Sequence, residues 1–219
     1  MKKEELILSL DGNSDYKQMA LDFAEKKEDL EFVVKFVKKE QSSLKYKASK
    51  IIRLISEEHP EVLKPHMDEI LSWIHHQNSF IKWDGIFVMV NLAGYVEQDN
   101  QLSYVEAYLS LLEDPQMITA GNAAGSAWKI VHALPQFEGI ITEKLLSVPE
   151  IIYVHKREPS PECNAIVCGK VLECFEQYYD KWAHQEKILQ FAKGQLHSVR
   201  KAVAKKAVLF VKRVEEIKK

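Results

Sequence analysis

The chain has 219 residues, of which 46% are hydrophobic and 28% charged, and its formal net charge is −2. That length is enough to bury a core, as one large domain or two small ones. The composition is ordinary for a soluble globular protein, and the charge excludes a polycation drawn as a whole to nucleic acid or anionic membrane.

Met1-Lys2-Lys3-Glu4-Glu5 precedes an apolar run from Leu6 to Leu10, broken by Ser9, which is too short and too acidic for a signal peptide. Gly12-Asn13-Ser14-Asp15 reads as a turn and an N-cap for a helix from Tyr16 to about Lys27, so residues 1–27 form a leader and a capping helix. Helical periodicity then predicts five helix pairs over 28–216. Helix 29–39, with Leu30, Val33, Val34 and Val37 on one face, pairs with 43–58. Helix 61–76 begins just after Pro60, where the missing N–H costs little, and pairs with 79–97. Helix 102–113 pairs with 117–133, and 137–147 pairs with 162–178 across an irregular stretch, Tyr153–Pro161, that holds Pro159 and Pro161. Helix 182–193 pairs with 197–216 across Gly194. No run shows sustained strand alternation bounded by hairpin turns. The longest uncharged apolar stretch, Gly85–Val96, is too short to span a membrane, so a cytoplasmic location is expected.

Chemistry-bearing motifs are scarce. Cys163, Cys168 and Cys174 are scattered around one helix by steps of about 100° per residue and read as buried hydrophobes in a reducing compartment. His75 and His76 point apart, and neither a His-Glu-x-x-His nor a Cys-x-x-Cys pairing occurs. Gly121-Asn122-Ala123-Ala124-Gly125-Ser126 lacks the lysine and the glycine spacing of a phosphate loop. The expectation is therefore a protein with no catalytic residue, no metal and no cofactor.

The strongest signal is a repeat. Leu44-Lys45 opens one second helix, Ile81-Lys82 the next, 37 positions later, and Val199-Arg200 the last. A small residue four positions on (Ala48, Gly85) and a hydrophobe eight on (Ile52, Met89) complete the pattern, and Pro65 stands at a kink position within the first helix of the second pair. Thr119 and Asn164 interrupt the pattern in the third and fourth pairs. Residues 28–216 resemble HEAT repeats of the armadillo-like class. That resemblance implies an all-α, right-handed α-α superhelix of about five helix pairs, forming a single domain over 1–219. It also implies that the second helices line a concave face and that the protein binds another macromolecule there.

Carrying the helical register along the second helices gives a candidate face. Leu44, Ala48, Ile51, Ile52 and Ile55 read as core, opposite a solvated face of Tyr46, Lys50, Arg53 and Glu57. In the next pair Ile81, Gly85, Val88, Met89 and Leu92 read as core, but Trp83, Ile86, Phe87 and Val90 lie opposite, so this helix is apolar all round. Such a helix is either buried on both sides or presents a binding patch. Gly121, Gly125, Trp128 and His132 take the corresponding face of the third pair, where the glycines would either admit a ligand or allow close packing. Lys170, Lys201 and Lys205 supply cations on the fourth and fifth. The five second helices carry +4, 0, +1, −2 and +6, leaving −11 elsewhere. The field of such a layer would favour an anionic partner.

The leading expectation is a non-enzymatic scaffold that holds a protein or peptide in its groove. The alternative follows from a second resemblance, at the level of fold only, to DNA glycosylases for alkylated bases built from HEAT-like repeats. It would assign Trp83 and Trp128 to the base and Lys50, Arg53, Lys201 and Lys205 to phosphates, with weak nucleic-acid affinity. Asp84, the nearest acid, points off the face in this register.

Overall fold

Asp15 opens the first helix in the computed structural model, which describes residues 7, 8, 10, 15–40, 42–181 and 184–217. Its carboxylate accepts from the amides of Lys17 (2.9 Å) and Gln18 (3.4 Å), so α1 (Tyr16–Glu25) starts on a side-chain cap. Residues Gly12–Ser14 of the expected turn, most of the leader, and Trp182 at the expected start of the last pair lie outside the described residues.

The chain divides into two compact units, Met1–Val96 and Glu97–Lys219. In the first, α2 (Lys27–Lys39) places Glu28 and Asp29 in its first turn and Lys38 and Lys39 in its last, matching the helix dipole at both ends. Its Leu30, Val33, Val34 and Val37 are buried against Ala48, Ile51, Ile52 and Ile55 of α3 (Leu44–Glu58). The first helix of the next pair departs from the expected α-helix 61–76. Pro60–His66 is a 3-10 helix, followed by the short α4 (Met67–Leu71) and a second 3-10 turn, Ser72–His75. Pro65 is the physical reason. It lacks an N–H and its ring clashes with the carbonyl four residues back, which an α-helix cannot tolerate. Then α5 (Ser79–Leu92) is capped by Asn78, whose side-chain oxygen accepts from the Phe80 amide at 3.0 Å. A Cβ added at Gly85 would lie 2.9 Å from Trp73 Cβ and 3.3 Å from Ile74 N, so glycine sets how closely the two helices of this pair approach.

In the second unit, α6 (Gln101–Ser110) pairs with a helix that splits into α7 (Met117–Ser126) and α8 (Trp128–Ala133). The buried Tyr108 hydroxyl donates to the Ala123 carbonyl at 2.7 Å, competing for the acceptor that the Ala127 amide would use in a continuous helix. Next come α9 (Glu138–Leu146) and α10 (Pro161–Phe175), then α11 (Gln185–Gly194) and α12 (Lys201–Ile217). Cys163, Cys168 and Cys174 are buried on α10. Burial pushes the Cys168 thiol up to about 12, and raises Cys174 further.

One segment differs in kind from the sequence reading. Within Tyr153–Pro161, β1 (Val154–His155) and β2 (Glu158–Pro159) form an antiparallel hairpin, turned by Lys156 and Arg157 at φ of 51° and 73°. Asn164, which breaks the repeat pattern, donates from its amide to the carbonyls of Val148 (3.0 Å) and Ile151 (2.8 Å). Tyr153 is buried and bonds the Leu112 carbonyl. These contacts fasten the insertion to its own unit. With that two-residue hairpin as its only sheet among the described residues, the fold is an all-α helical repeat. No described helix is long and apolar enough to cross a membrane.

Candidate binding face

In the first unit, two bonds fix how the second helices lie against each other. Ser49 Oγ donates to Asp84 Oδ2 (2.7 Å) and Asn91 Nδ2 donates to Ser56 Oγ (2.9 Å), each joining residues 35 apart. With α3 and α5 in this register, two stripes become neighbours. Tyr46, Lys50 and Arg53 run along α3, and Phe80, Trp83 and Phe87 along α5, both at i, i+3/i+4, i+7 spacing. The Tyr46 and Phe80 rings lie 5.8 Å apart at 53°, and Phe80 and Trp83 lie 5.5 Å apart at 74°. These tilted and edge-on contacts are those that aromatic quadrupoles favour. Phe80 is 59% exposed, and Trp83 and Phe87 are half-buried.

Each cation on this face lies over a ring. Lys45 Nζ sits 5.5 Å from the Tyr46 centroid, Lys50 Nζ 4.8 Å from Tyr16, and Arg53 Cζ 5.5 Å from Phe87. Lys45 and Lys50 form no ion pair among the described residues. Arg53 does: its Nη1 is 3.4 Å from Asp84 and its Nε 3.8 Å from Glu57.

Asp84 lies beneath this face rather than on it. It is 8% exposed, turned toward α3 and held by Ser49 and Arg53. Burial raises its pKa, and the Ser49 bond and Arg53 charge offset only part of that effect. Both of its oxygens are engaged inside the helix-helix contact.

The second unit presents a different surface. Ideal Cβ atoms at Gly121 and Gly125 would meet Lys170 side-chain carbons at 3.7 and 3.4 Å, so the lysine stem already covers the space beside both glycines. Its ammonium bonds Glu173 at 2.7 Å, and Lys206 bonds the other oxygen of the same carboxylate. Burial works to raise Glu173, but the two lysines prevail and hold its pKa below the ordinary range. The cation expected at Lys170 is thus neutralised, as is Lys206 of the strongly basic fifth second helix. Trp128 packs edge-on against His132 at 5.3 Å, with Lys129 over its ring. Lys201 and Lys205 are exposed on the first turns of α12.

Of the sequence-derived candidates, the structure brings Tyr46, Lys50, Arg53, Trp83 and Phe87 onto one two-helix face. Gly121, Gly125 and Lys170 form a separate contact, Trp128 and His132 a ring pair, and Lys201 and Lys205 a third group, all in the second unit. Ile86 and Val90, read as opposite the core, are buried. The sequence reading missed Phe80, the most exposed aromatic of the face. Its signal is its place three residues before Trp83 and seven before Phe87. Among the described residues no group of three or more His, Cys, Asp or Glu gathers as a metal site.

No family profile matches the sequence, and no curated protein is similar to it. Among solved structures, an engineered protein matches with a TM-score of 0.51 at 15% identity, over 99% of this chain and 98% of that one. A designed armadillo repeat protein matches with a TM-score of 0.47 at 12% identity, over 96% of this chain and 99% of that one. At 15% identity the likeness to the engineered protein is one of fold alone.

Proposed function

We propose that this protein is a non-enzymatic interaction scaffold that holds a protein or peptide partner against its second helices, the concave groove of a HEAT-like superhelix. In this reading residues 1–219 act as one repeat domain, and the partner seats on Tyr46, Lys50, Arg53, Trp83 and Phe87. One observation carries the reading. Three aromatic rings, from Tyr46 to Trp83, are packed in line on adjacent second helices, with Phe80 59% exposed at their centre. Large aromatics held rigid by their neighbours and partly open to solvent supply contact area at low entropic cost, as in the anchors of protein interfaces.

Panning a random 12-residue peptide display library on the full chain tests this. The expected result is enriched peptides whose binding is lost in Phe80→Ala and Trp83→Ala, while both variants keep the wild-type circular dichroism. Enrichment unaffected by either variant would remove the face from the reading. The same protein incubated with alkylated duplex DNA is expected to release no base. Excision that disappears in Asp84→Asn would replace the scaffold with a glycosylase.

A further inference from the structure

Resting on that reading, we infer that the first unit's face takes an acidic peptide carrying one large apolar side chain. The apolar group seats against Phe80 and Trp83, and flanking carboxylates meet Lys45 and Lys50.

The charge of the face is the first ground. Along α3 the face carries Lys45 and Lys50 ahead of any acid; Lys47 turns its ammonium to the Leu10 carbonyl, and Glu57, near the helix end, already pairs with Arg53. The one carboxylate that α5 brings to this contact, Asp84, is buried and already shared between Ser49 and Arg53. A partner approaching the rings therefore meets ammonium groups, and a carboxylate-bearing one gains from them.

The state of those cations is the second ground. Lys45 and Lys50 rest over aromatic rings and form no ion pair among the described residues, whereas Arg53, over Phe87, is already shared with Asp84 and Glu57. A cation over a ring keeps donors free for an acceptor arriving from the other side, whereas Lys170 and Lys206 of the second unit spend theirs on Glu173. Lysines outside any described ion pair thus stand beside an exposed ring in the first unit, while Lys170 and Lys206 of the second are spent on Glu173, which favours the first face for an acidic ligand.

The ring geometry decides between peptide and nucleic acid, both of which are anionic. Single-stranded nucleic acid binds by laying successive bases on successive open ring faces. Here the rings turn their edges to one another at 53° and 74°, and Lys45 lies over the Tyr46 face, so the strip offers one open ring, Phe80, rather than a staircase. One apolar anchor flanked by acids fits that surface, and a run of stacked bases does not.

Sequencing the peptides enriched in the display experiment tests the inference. The expected pool is rich in Asp and Glu around a Trp, Phe or Leu, and one such peptide, synthesised with a fluorophore, should outbind its Lys-for-Glu counterpart and a ten-residue oligothymidylate. The double variant Lys45→Glu/Lys50→Glu should weaken it by about tenfold, the sum of two exposed charge contacts reversed. Lys201→Glu/Lys205→Glu should leave it unchanged. Both pairs are exposed or half-exposed, so folding is preserved, and circular dichroism checks it. A pool without acidic enrichment, indifference to the first double variant, or oligothymidylate binding as tightly as the peptide would each overturn the inference while leaving a scaffold. No enriched peptide at all would overturn the scaffold reading itself.

Discussion

Asp84 shows how much one side chain's surroundings decide. It sits between Trp83 and Gly85 in a run that reads as apolar, and burial beneath α3 makes its charged form costly despite Ser49 and Arg53. A carboxyl whose folded pKa is raised binds its proton more tightly in the native state than in the unfolded chain. Its contribution to stability is then fully present below the unfolded pKa and is lost as pH rises through the folded one. Urea unfolding of the wild type and of Asp84→Asn at stepped pH should therefore show the wild type losing ground to the variant across the carboxylate range, with a plateau above it. A gap that instead widens in favour of the wild type would mean that Arg53 outweighs burial. The candidate residues were only half legible in the sequence. A register carried from Leu44 to Ile81 finds Trp83 and Phe87, because both helices keep one phase. It passes over Phe80, because the repeat motif opens at Ile81 and the helix at Ser79. It also passes over the fate of Gly121 and Gly125, because no local pattern shows that Lys170, 45 or more positions on, lies across them.

At the scale of the element, most helices begin and end within a few residues of where periodicity, prolines and caps place them. The departures have local causes that sequence pattern does not encode. Pro65 turns most of one expected helix into 3-10 turns, and the Tyr108 hydroxyl accompanies a break in another through a contact 15 residues away. The hairpin was the hardest to foresee. Its turn residues are Lys156 and Arg157, whereas the left-handed conformation that both adopt is usually given to Asn or Gly. That mismatch predicts a gain. Lys156→Asn/Arg157→Gly should raise the unfolding free energy of the protein by about 1 kcal/mol, since side chains with a crowded Cβ leave the strained region. Thermal unfolding followed at 222 nm checks this, and no gain would mean that these side chains make compensating contacts.

At the scale of the whole molecule, a helical repeat draws its stability from each pair and from the interface with the next, so damage should stay near its source. Gly85→Ala offers the cleanest test. The new methyl meets Trp73 Cβ at 2.9 Å, and beyond it lies the backbone of Trp73 and Ile74, so overpacking should cost about 1–3 kcal/mol. Hydrogen exchange read by mass spectrometry should then show lost protection across α3, α4 and α5, with α9 to α12 unchanged. Equal loss throughout would mean that the two units open as a single cooperative body. The second unit can be followed by a different means. Its thiols, at 163, 168 and 174, are buried, and for Cys168 and Cys174 the thiolate that reacts with alkylating agents is suppressed as well. While α10 stays packed these two are nearly silent to such reagents, so their labelling keeps time for its opening: a clock of native sulfur atoms, readable without adding a probe.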